Sequence, residues 1–185
     1  RAVVLSDLHL GPFKKQEWTE KVVEKIQEIK PDVIFLLGDF VVTSAQDVQY
    51  LKPLNQLSAP YGVYAVTGNH EYHANAALEV IKALEDSHME VIENETVNVE
   101  INGKIVRVAG VSDIWFDGDL VKTMQDVTQE DAVILLAHNP DVVLSKESRK
   151  ADVVFAGHTH GGQIRLPWIG PVPRIPTNLG RAYDE

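Results

Sequence analysis

Along the 185 residues, short runs rich in Val, Ile and Leu alternate with stretches whose apolar positions recur at helical spacing. The runs occupy residues 2–5, 33–37, 63–66, 105–111, 132–137 and 153–156, each the length of a buried strand. Between the first two, Trp18, Val22, Ile26 and Ile29 share one helical face while Lys and Glu take the other, which predicts a crossover helix between parallel strands. Residues 74–85 predict a second helix, and residues 47–57 a shorter one with Asp47 as its N-cap. Residues 96–101 and 104–108 flank Asn102-Gly103, a pair suited to a type I′ turn, so a hairpin joins an antiparallel pair to the parallel strands. Four of the nine prolines fall from Pro167 to Pro176. Residues 164–175, with Arg165, Trp168 and Arg174, therefore read as a proline-rich surface loop in preference to a substrate rim or a lipid contact. With no internal repeat, the pattern predicts one α/β domain over residues 1–185.

Composition then removes whole classes of function. An apolar share of 44% with 24% charged residues is that of a globular chain, which excludes disordered and collagen-like proteins. The absence of cysteine excludes a disulfide framework, thiolate catalysis, Cys-ligated zinc and iron–sulfur clusters. A formal charge of −10 argues against an extended nucleic-acid surface, which needs clustered Lys and Arg. The longest clean apolar run, residues 132–137, is far below the ~18 residues of a membrane span. The chain opens at Arg1, shows no signal-peptide pattern and stops after Tyr183-Asp184-Glu185. That reads as a trimmed fragment whose targeting or anchoring segment lies elsewhere.

Chemistry gathers where the strands end. Residues 2–5 run into Asp7-Leu8-His9, 33–37 into Gly38-Asp39, and 63–66 into Gly68-Asn69-His70-Glu71. Residues 132–137 run into His138, and 153–156 into Gly157-His158-Thr159-His160. Since ligands of α/β sheets bind beyond the carboxyl ends of the strands, these residues are expected to converge in one crevice. Five of the seven histidines belong to the set. Taken singly, each element has a plain structural reading. Asp-x-His puts two side chains on one side of an extended segment; Asp39 and Asn69 are common turn residues; a lone His138 is ordinarily a satisfied core histidine. It is their joint recurrence at five strand ends that points to metal.

At these residues the chain resembles the calcineurin-like metallophosphoesterase family. That family's pattern is Asp-x-His, Gly-Asp, Gly-Asn-His-Glu (or Asp), a lone His, then Gly-His-x-His. It is met in order at Asp7 and His9, Gly38-Asp39, residues 68–71, His138, and residues 157–160. Extension to Gly161-Gly162-Gln163 is similar to a bacterial branch of often membrane-anchored members, some associated with cleavage of the UDP-diacylglucosamine pyrophosphate. The resemblance implies a four-layer αββα sandwich of two mixed sheets flanked by helices. Because family members usually continue past Gly180-Arg181 into further strands, it also implies a second sheet left incomplete at the C-terminus. It further implies two divalent metal ions, with Asp7, His9, Asp39 and His160 at one, Asp39 bridging, and Asn69, His138 and His158 completing the other. His70 is then no ligand but a leaving-group acid, or a donor to the phosphoryl oxygens.

Independently of the family, imidazole mixed with carboxylate or amide oxygen suits Mn, Fe, Zn, Co or Ni rather than Ca or Mg and does not choose among them; for a member of the family resembled, manganese is the expected ion. Two such ions, two aspartates and a bridging hydroxide leave about +1 in the crevice, and the acidic surface beyond about 8 Å is screened. The expected activity is hydrolysis of a phosphate ester or pyrophosphate by metal-activated hydroxide attack on phosphorus. The substrate is expected to be a phosphate-containing small molecule or lipid-linked compound. The expected setting is the cytoplasm, peripheral to or anchored at a membrane through a segment absent from this chain. A non-catalytic scaffold of the same fold is disfavoured because His70 and every ligand position are filled, and a nuclease of the same superfamily because basic residues do not cluster. Asp113, Trp115 and Phe116 follow a strand and read as core more than as pocket wall. Glu71 either orients a neighbouring ligand or caps the helix after it. His73 and His88 receive no role.

Overall fold

The computed structural model describes residues 1–162, 164–168, 170–172 and 176–179. The first half of the chain runs β1 (Ala2–Leu5), α1 (Gln16–Ile29), β2 (Val33–Leu36), a 3₁₀ segment (Ala45–Gln56), β3 (Val63–Ala65), α2 (Asn69–His73), α3 (Ala77–Asp86) and β4 (Glu90–Val91). The second half runs β5 (Glu95–Ile101), β6 (Lys104–Gly110), α4 (Leu120–Thr123), β7 (Val133–Leu136), two 3₁₀ segments (Pro140–Leu144 and Glu147–Lys150), β8 (Val153–Phe155), β9 (Arg165–Leu166) and β10 (Gly170–Pro171).

Two four-stranded sheets result, in the orders β1-β2-β3-β4 and β5-β6-β7-β8. The first is parallel throughout its described strands. The second is mixed, because the β5–β6 hairpin is antiparallel while β6–β7 and β7–β8 are parallel. Asn102 and Gly103 both take positive φ at the hairpin turn (52° and 76°), as a type I′ turn demands.

Alternation along the strands sets the layers. In the first sheet Ile34, Leu36, Val63 and Ala65 face the helical layer, where they meet Val23 and Ile26 of α1, Leu51 and Leu54 of the 3₁₀ segment, and Val80 and Leu84 of α3. The intervening Phe35, Leu37, Tyr64 and Val66 face the second sheet and pack with Val99, Val108 and Leu136. In turn Ala109, Val133 and Leu135 face outward under Leu120, Met124, Val127 and Val142. This is the expected helix–sheet–sheet–helix sandwich, except that the first sheet, expected to be mixed, pairs only parallel strands among the described residues because each strand after β1 is reached by a helical crossover. Among the described residues, no helix is long and apolar enough to cross a membrane.

Several local expectations are corrected. Helix α1 forms, but its buried face is Thr19, Val23 and Ile26, whereas Trp18 and Ile29 are half exposed. The face is rotated because Thr19 Oγ1 donates to the Tyr50 carbonyl at 2.8 Å, which lets a polar residue sit inside. Trp18 instead lies beneath the Lys14 ammonium, 5.4 Å from its ring centre. The helix expected over residues 74–85 forms as α3 but begins three residues later, at Ala77, because Asn75 is left-handed (φ 48°) and separates it from α2. Asp47 is not an N-cap: Ser44 holds that place. The Asp47 carboxylate reaches back to accept from the backbone N–H groups of Thr43 and Ser44 at 3.2 and 3.1 Å. The proline-rich loop contains a small antiparallel ladder, β9 with β10, separate from both sheets. Gln163, Arg174 and the sheet continuation expected past Gly180 lie outside the described residues.

Candidate metal centre

The loops that follow β1, β2, β3, β7 and β8 meet at one end of the sandwich and are tied by backbone hydrogen bonds that continue the ladders. Asp7 N–H donates to the Gly38 carbonyl at 3.1 Å, His9 N–H to Asp39 at 2.9 Å, and Gly157 N–H to His138 at 2.9 Å. Three overlapping groups of side chains result: Asp7, His9 and His160; His9, Asp39 and His70; and Asp39, His138 and His158. The first centres on Asp7 Oδ1, 3.6 Å from His9 Nε2 and 3.3 Å from His160 Nε2. The two imidazole nitrogens are themselves 3.1 Å apart. Asp39 Oδ2 joins the groups, lying 3.5 Å from His9 Nε2 and 3.2 Å from His138 Nε2. Asn69 is buried next to His70, and the His70 N–H donates to Asp39 Oδ1 at 2.9 Å.

The donor set fits divalent cations. Asp7 Oδ1, Asn69 Oδ1 and His70 Nδ1 are buried without a hydrogen-bond partner among the described residues, an arrangement that costs free energy unless a further group satisfies them. Two nitrogens at 3.1 Å need a proton or a cation between them. His138 Nδ1 faces the Leu37 carbonyl at 2.7 Å, which orients the ring and presents Nε2 to the centre.

The backbone is bent to achieve this convergence. Asp7, His9, Asp39, His158 and His160 all have positive φ, between 49° and 69°, a region that non-glycine residues avoid. The expectation that Asp7 and His9 share a side because they are extended is therefore wrong. They converge through two left-handed residues, a conformation that is sustained only when the surrounding structure imposes it. Gly68 and Gly157 clear the space: a Cβ at Gly68 would run into the Asp39 carboxylate and the His138 ring, and one at Gly157 into Ser6 Oγ and the Asp7 carboxylate.

Electrostatics follow the geometry. Burial favours the neutral acid at Asp7, but the close approach of His9 and Ser6 and the neighbouring His138 and His160 outweigh it and hold the carboxyl well below its ordinary range. Asp39 is likewise lowered against the effect of burial, chiefly by His138. Burial disfavours charge on His138, yet its hydrogen bond to Asp39 and that residue's charge push it up to about 9. Metal-free, the centre thus carries an internal ion pair, whose proton an incoming cation must displace. Burial foremost lowers the pKa of His70, against the raising effect of the Asp39 charge. Glu71 is fully buried, and desolvation aided by the Asp39 charge pushes it up to about 7. Both roles considered for Glu71 are present: it accepts from Gly68 N–H at the start of α2, and from the backbone of the segment carrying Asp39.

Asp7, His9, Asp39, His70, His138, His158 and His160 are all brought into the three groups. Trp115 and Phe116 are not core. Asp113 accepts the Trp115 N–H on its carboxylate and the Phe116 and Gly118 N–H groups on its carbonyl, so the chain turns back directly after β6 and throws both rings outward. Trp115 stands edge-on to His158 with ring centres 4.6 Å apart, and Phe116 stacks on Tyr72 at 4.7 Å. His73, given no role from the sequence, packs edge-on against Phe116. Sequence reasoning passed over Ser6, Glu93 and Asp141. Glu93 accepts from Thr67 N–H and Oγ1 after β3 and from Ser112 Oγ after β6, pinning the two sheets together at the rim. Nothing in its local sequence signals partners 19 and 26 residues away.

A two-sheet α/β sandwich with histidines and aspartates gathered at its strand ends defines a class of metal-centred hydrolase folds. A sequence model of the family "Calcineurin-like phosphoesterase" matches residues 1–162, and the chain belongs to that family. A Caenorhabditis elegans protein named as a metallophosphoesterase is 35% identical over 98% of this chain and 41% of its own length. YkuE, an uncharacterized metallophosphoesterase of Bacillus subtilis, is 31% identical over the whole of this chain and 66% of its own. A Bos taurus protein named "Transmembrane protein with metallophosphoesterase domain" is 31% identical over 89% of this chain and 41% of its own. The chain thus spans about two-fifths of the length of the worm and bovine relatives.

Proposed function

We propose that this domain hydrolyses a phosphate ester or pyrophosphate at a centre of two divalent transition-metal ions, with manganese the ion of choice. The observation that carries the reading is the sharing of Asp39 and His9 between overlapping ligand groups at the ends of the strands. Asp7, His9, Asp39 and His160 would hold one ion; Asn69, His138 and His158, with Asp39 shared, would hold the other. Bound ions supply Lewis acidity, lowering the pKa of water at the site and offsetting the negative charge that grows on the phosphoryl oxygens.

The chain's own groups do the rest. Asp39 is fixed by the His70 N–H on Oδ1, which leaves Oδ2 toward His9 and His138. His70, at the first turn of α2 and beside His9, supplies the proton to the leaving oxygen or a hydrogen bond to the phosphoryl group. Trp115, half exposed against His158, limits the angle from which the substrate's remainder enters. The reading extends to a membrane-proximal setting, because the bovine and Danio rerio relatives are named as transmembrane proteins.

The test is hydrolysis of bis(p-nitrophenyl) phosphate by chelator-stripped protein as Mn²⁺ is restored, with His70→Ala alongside. Expected are metal-dependent turnover, two bound equivalents of Mn²⁺ in both proteins, and a loss of about 10²–10⁴-fold in the variant. Absence of turnover with both ions bound would reject the phosphodiesterase reading, and loss of an ion in His70→Ala would make His70 a ligand.

A further inference from the structure

His158 is held from two sides. Its Nδ1 lies 3.2 Å from His138 Nε2 within the centre, and its Nε2 lies 3.1 Å from the carbonyl oxygen of Pro176. A carbonyl only accepts, so the hydrogen resides on Nε2 and the lone pair of the neutral ring is on Nδ1, turned toward His138. The carbonyl of Pro176 thereby decides which nitrogen of His158 is free to bind.

Residues 176–179 are in turn fixed by one carboxylate. Asp141 is buried and accepts from Thr177 Oγ1 at 2.5 Å, from Asn178 N–H at 2.8 and 3.0 Å on its two oxygens, and from Asn178 Nδ2 at 2.6 Å. Asp141 lies in the 3₁₀ segment that directly follows His138-Asn139, and that segment is capped by another residue: Asn139 Oδ1 accepts the Asp141 N–H at 2.9 Å. The Asp141 carboxylate is therefore not needed by its own helix, and every hydrogen bond described for it goes to a segment 36 or 37 residues away. One short stretch of chain thus carries His138 and, through 176–178, aims the ring that faces His138.

Building on the two-metal reading above, we propose that Asp141 is a positioning residue that acts through the Pro176 carbonyl to lock His158 in the Nε2–H tautomer, with Nδ1 free for the second ion. The amide of Asp141→Asn would direct N–H at N–H and release 176–178. The paired variant Thr177→Val/Asn178→Ala removes the side-chain donors and leaves the carboxylate in place.

The first readout uses metal-free ¹⁵N-labelled protein, whose long-range ¹H–¹⁵N spectra separate the two imidazole tautomers. The second is Mn²⁺ titration by calorimetry. In the unaltered protein His158 is expected as the Nε2–H tautomer alone. Both variants should show averaged or Nδ1–H signals, and one of the two Mn²⁺ steps should weaken about 10–100-fold while the other stays within about twofold. Retention of the Nε2–H form in both variants overturns the proposal, as does equal weakening of both steps. If Asp141→Asn does not fold, the paired variant decides. If the unaltered protein takes up no Mn²⁺, the two-metal reading fails by itself, and the tautomer spectra still decide whether Asp141 sets the ring.

Discussion

The Glu71 carboxylate is committed wholly to backbone, and its chief beneficiary is Asp39. Oε2 accepts the Asp39 N–H at 2.9 Å and the Gly68 N–H at 2.8 Å, while Oε1 accepts from Phe40 and Val41 at 2.7 and 3.2 Å. Four donors that lie past the ends of the strands are satisfied by one buried side chain, and the loop after β2 is held in the left-handed turn that aims Asp39. Glu71→Gln would turn an N–H toward two of those donors. The expected cost is about 1–3 kcal/mol per donor left unsatisfied, read as a fall in Tm of about 2–4 °C for each kcal/mol. An unchanged Tm would show that the loop holds its shape without Glu71.

Gly157→Ala places a methyl group against Ser6 Oγ, which donates to the Leu37 carbonyl, and the carboxylate of Asp7, whose N–H donates to the Gly38 carbonyl. Overpacking of this kind costs about 1–3 kcal/mol, and displacement of Asp7 should lower Mn²⁺ uptake with it. Adding Ser6→Gly removes the closest obstruction, so the double variant should recover part of both losses in denaturation and calorimetry. Equal behaviour of the single and double variants would place the strain elsewhere.

Gly103 provides the contrast. It sits at the far end of the sandwich with φ 76° and open space around its Cα, so Gly103→Ala meets backbone strain alone. Destabilisation of about 1 kcal/mol with Mn²⁺ affinity unchanged is expected. A change in metal affinity would mean that the two ends of the second sheet are coupled.

Glu93 gives a pH dependence. Burial raises its pKa above the ordinary value, and the hydrogen bonds from Ser112 and Thr67 recover only part of the shift. The folded state therefore binds this proton more tightly than the unfolded chain. Its contribution is fully present below the unfolded pKa and is lost as pH rises through the folded one. In Glu93→Gln the amide oxygen can still accept the Thr67 N–H, and its NH₂ can donate to the hydroxyls of Thr67 and Ser112. Thermal melts from pH 4 to pH 7.5 should show the variant gaining stability relative to the unaltered protein as pH rises. A difference that stays flat with pH would contradict the raised value.

Much of the site was legible in the sequence because strand ends in α/β sheets are positions of chemistry, and Asp7, His9, Asp39, His138, His158 and His160 each stand just past an apolar run. Local pattern also yielded the Asn102-Gly103 hairpin, which depends only on residues adjacent in the chain. It could not yield the phase of α1, since Thr19 was drawn inward by a carbonyl at Tyr50 that no helical periodicity encodes.

By itself, then, the sequence determined which side chains are available, the order in which the strands deliver them, and the alternation that divides Ile34 and Leu36 from Phe35 and Leu37. Only the tertiary structure decided their orientation: the left-handed turns at Asp7, His9 and Asp39, the outward placement of Trp115, and the tautomer that Pro176 selects in His158. Element formation is governed by neighbours a few residues apart, which pattern records. Orientation at the site is governed by single hydrogen bonds between residues tens of positions apart, such as Glu71 to Phe40 and Asp141 to Asn178, and these exist only once the sheets have packed.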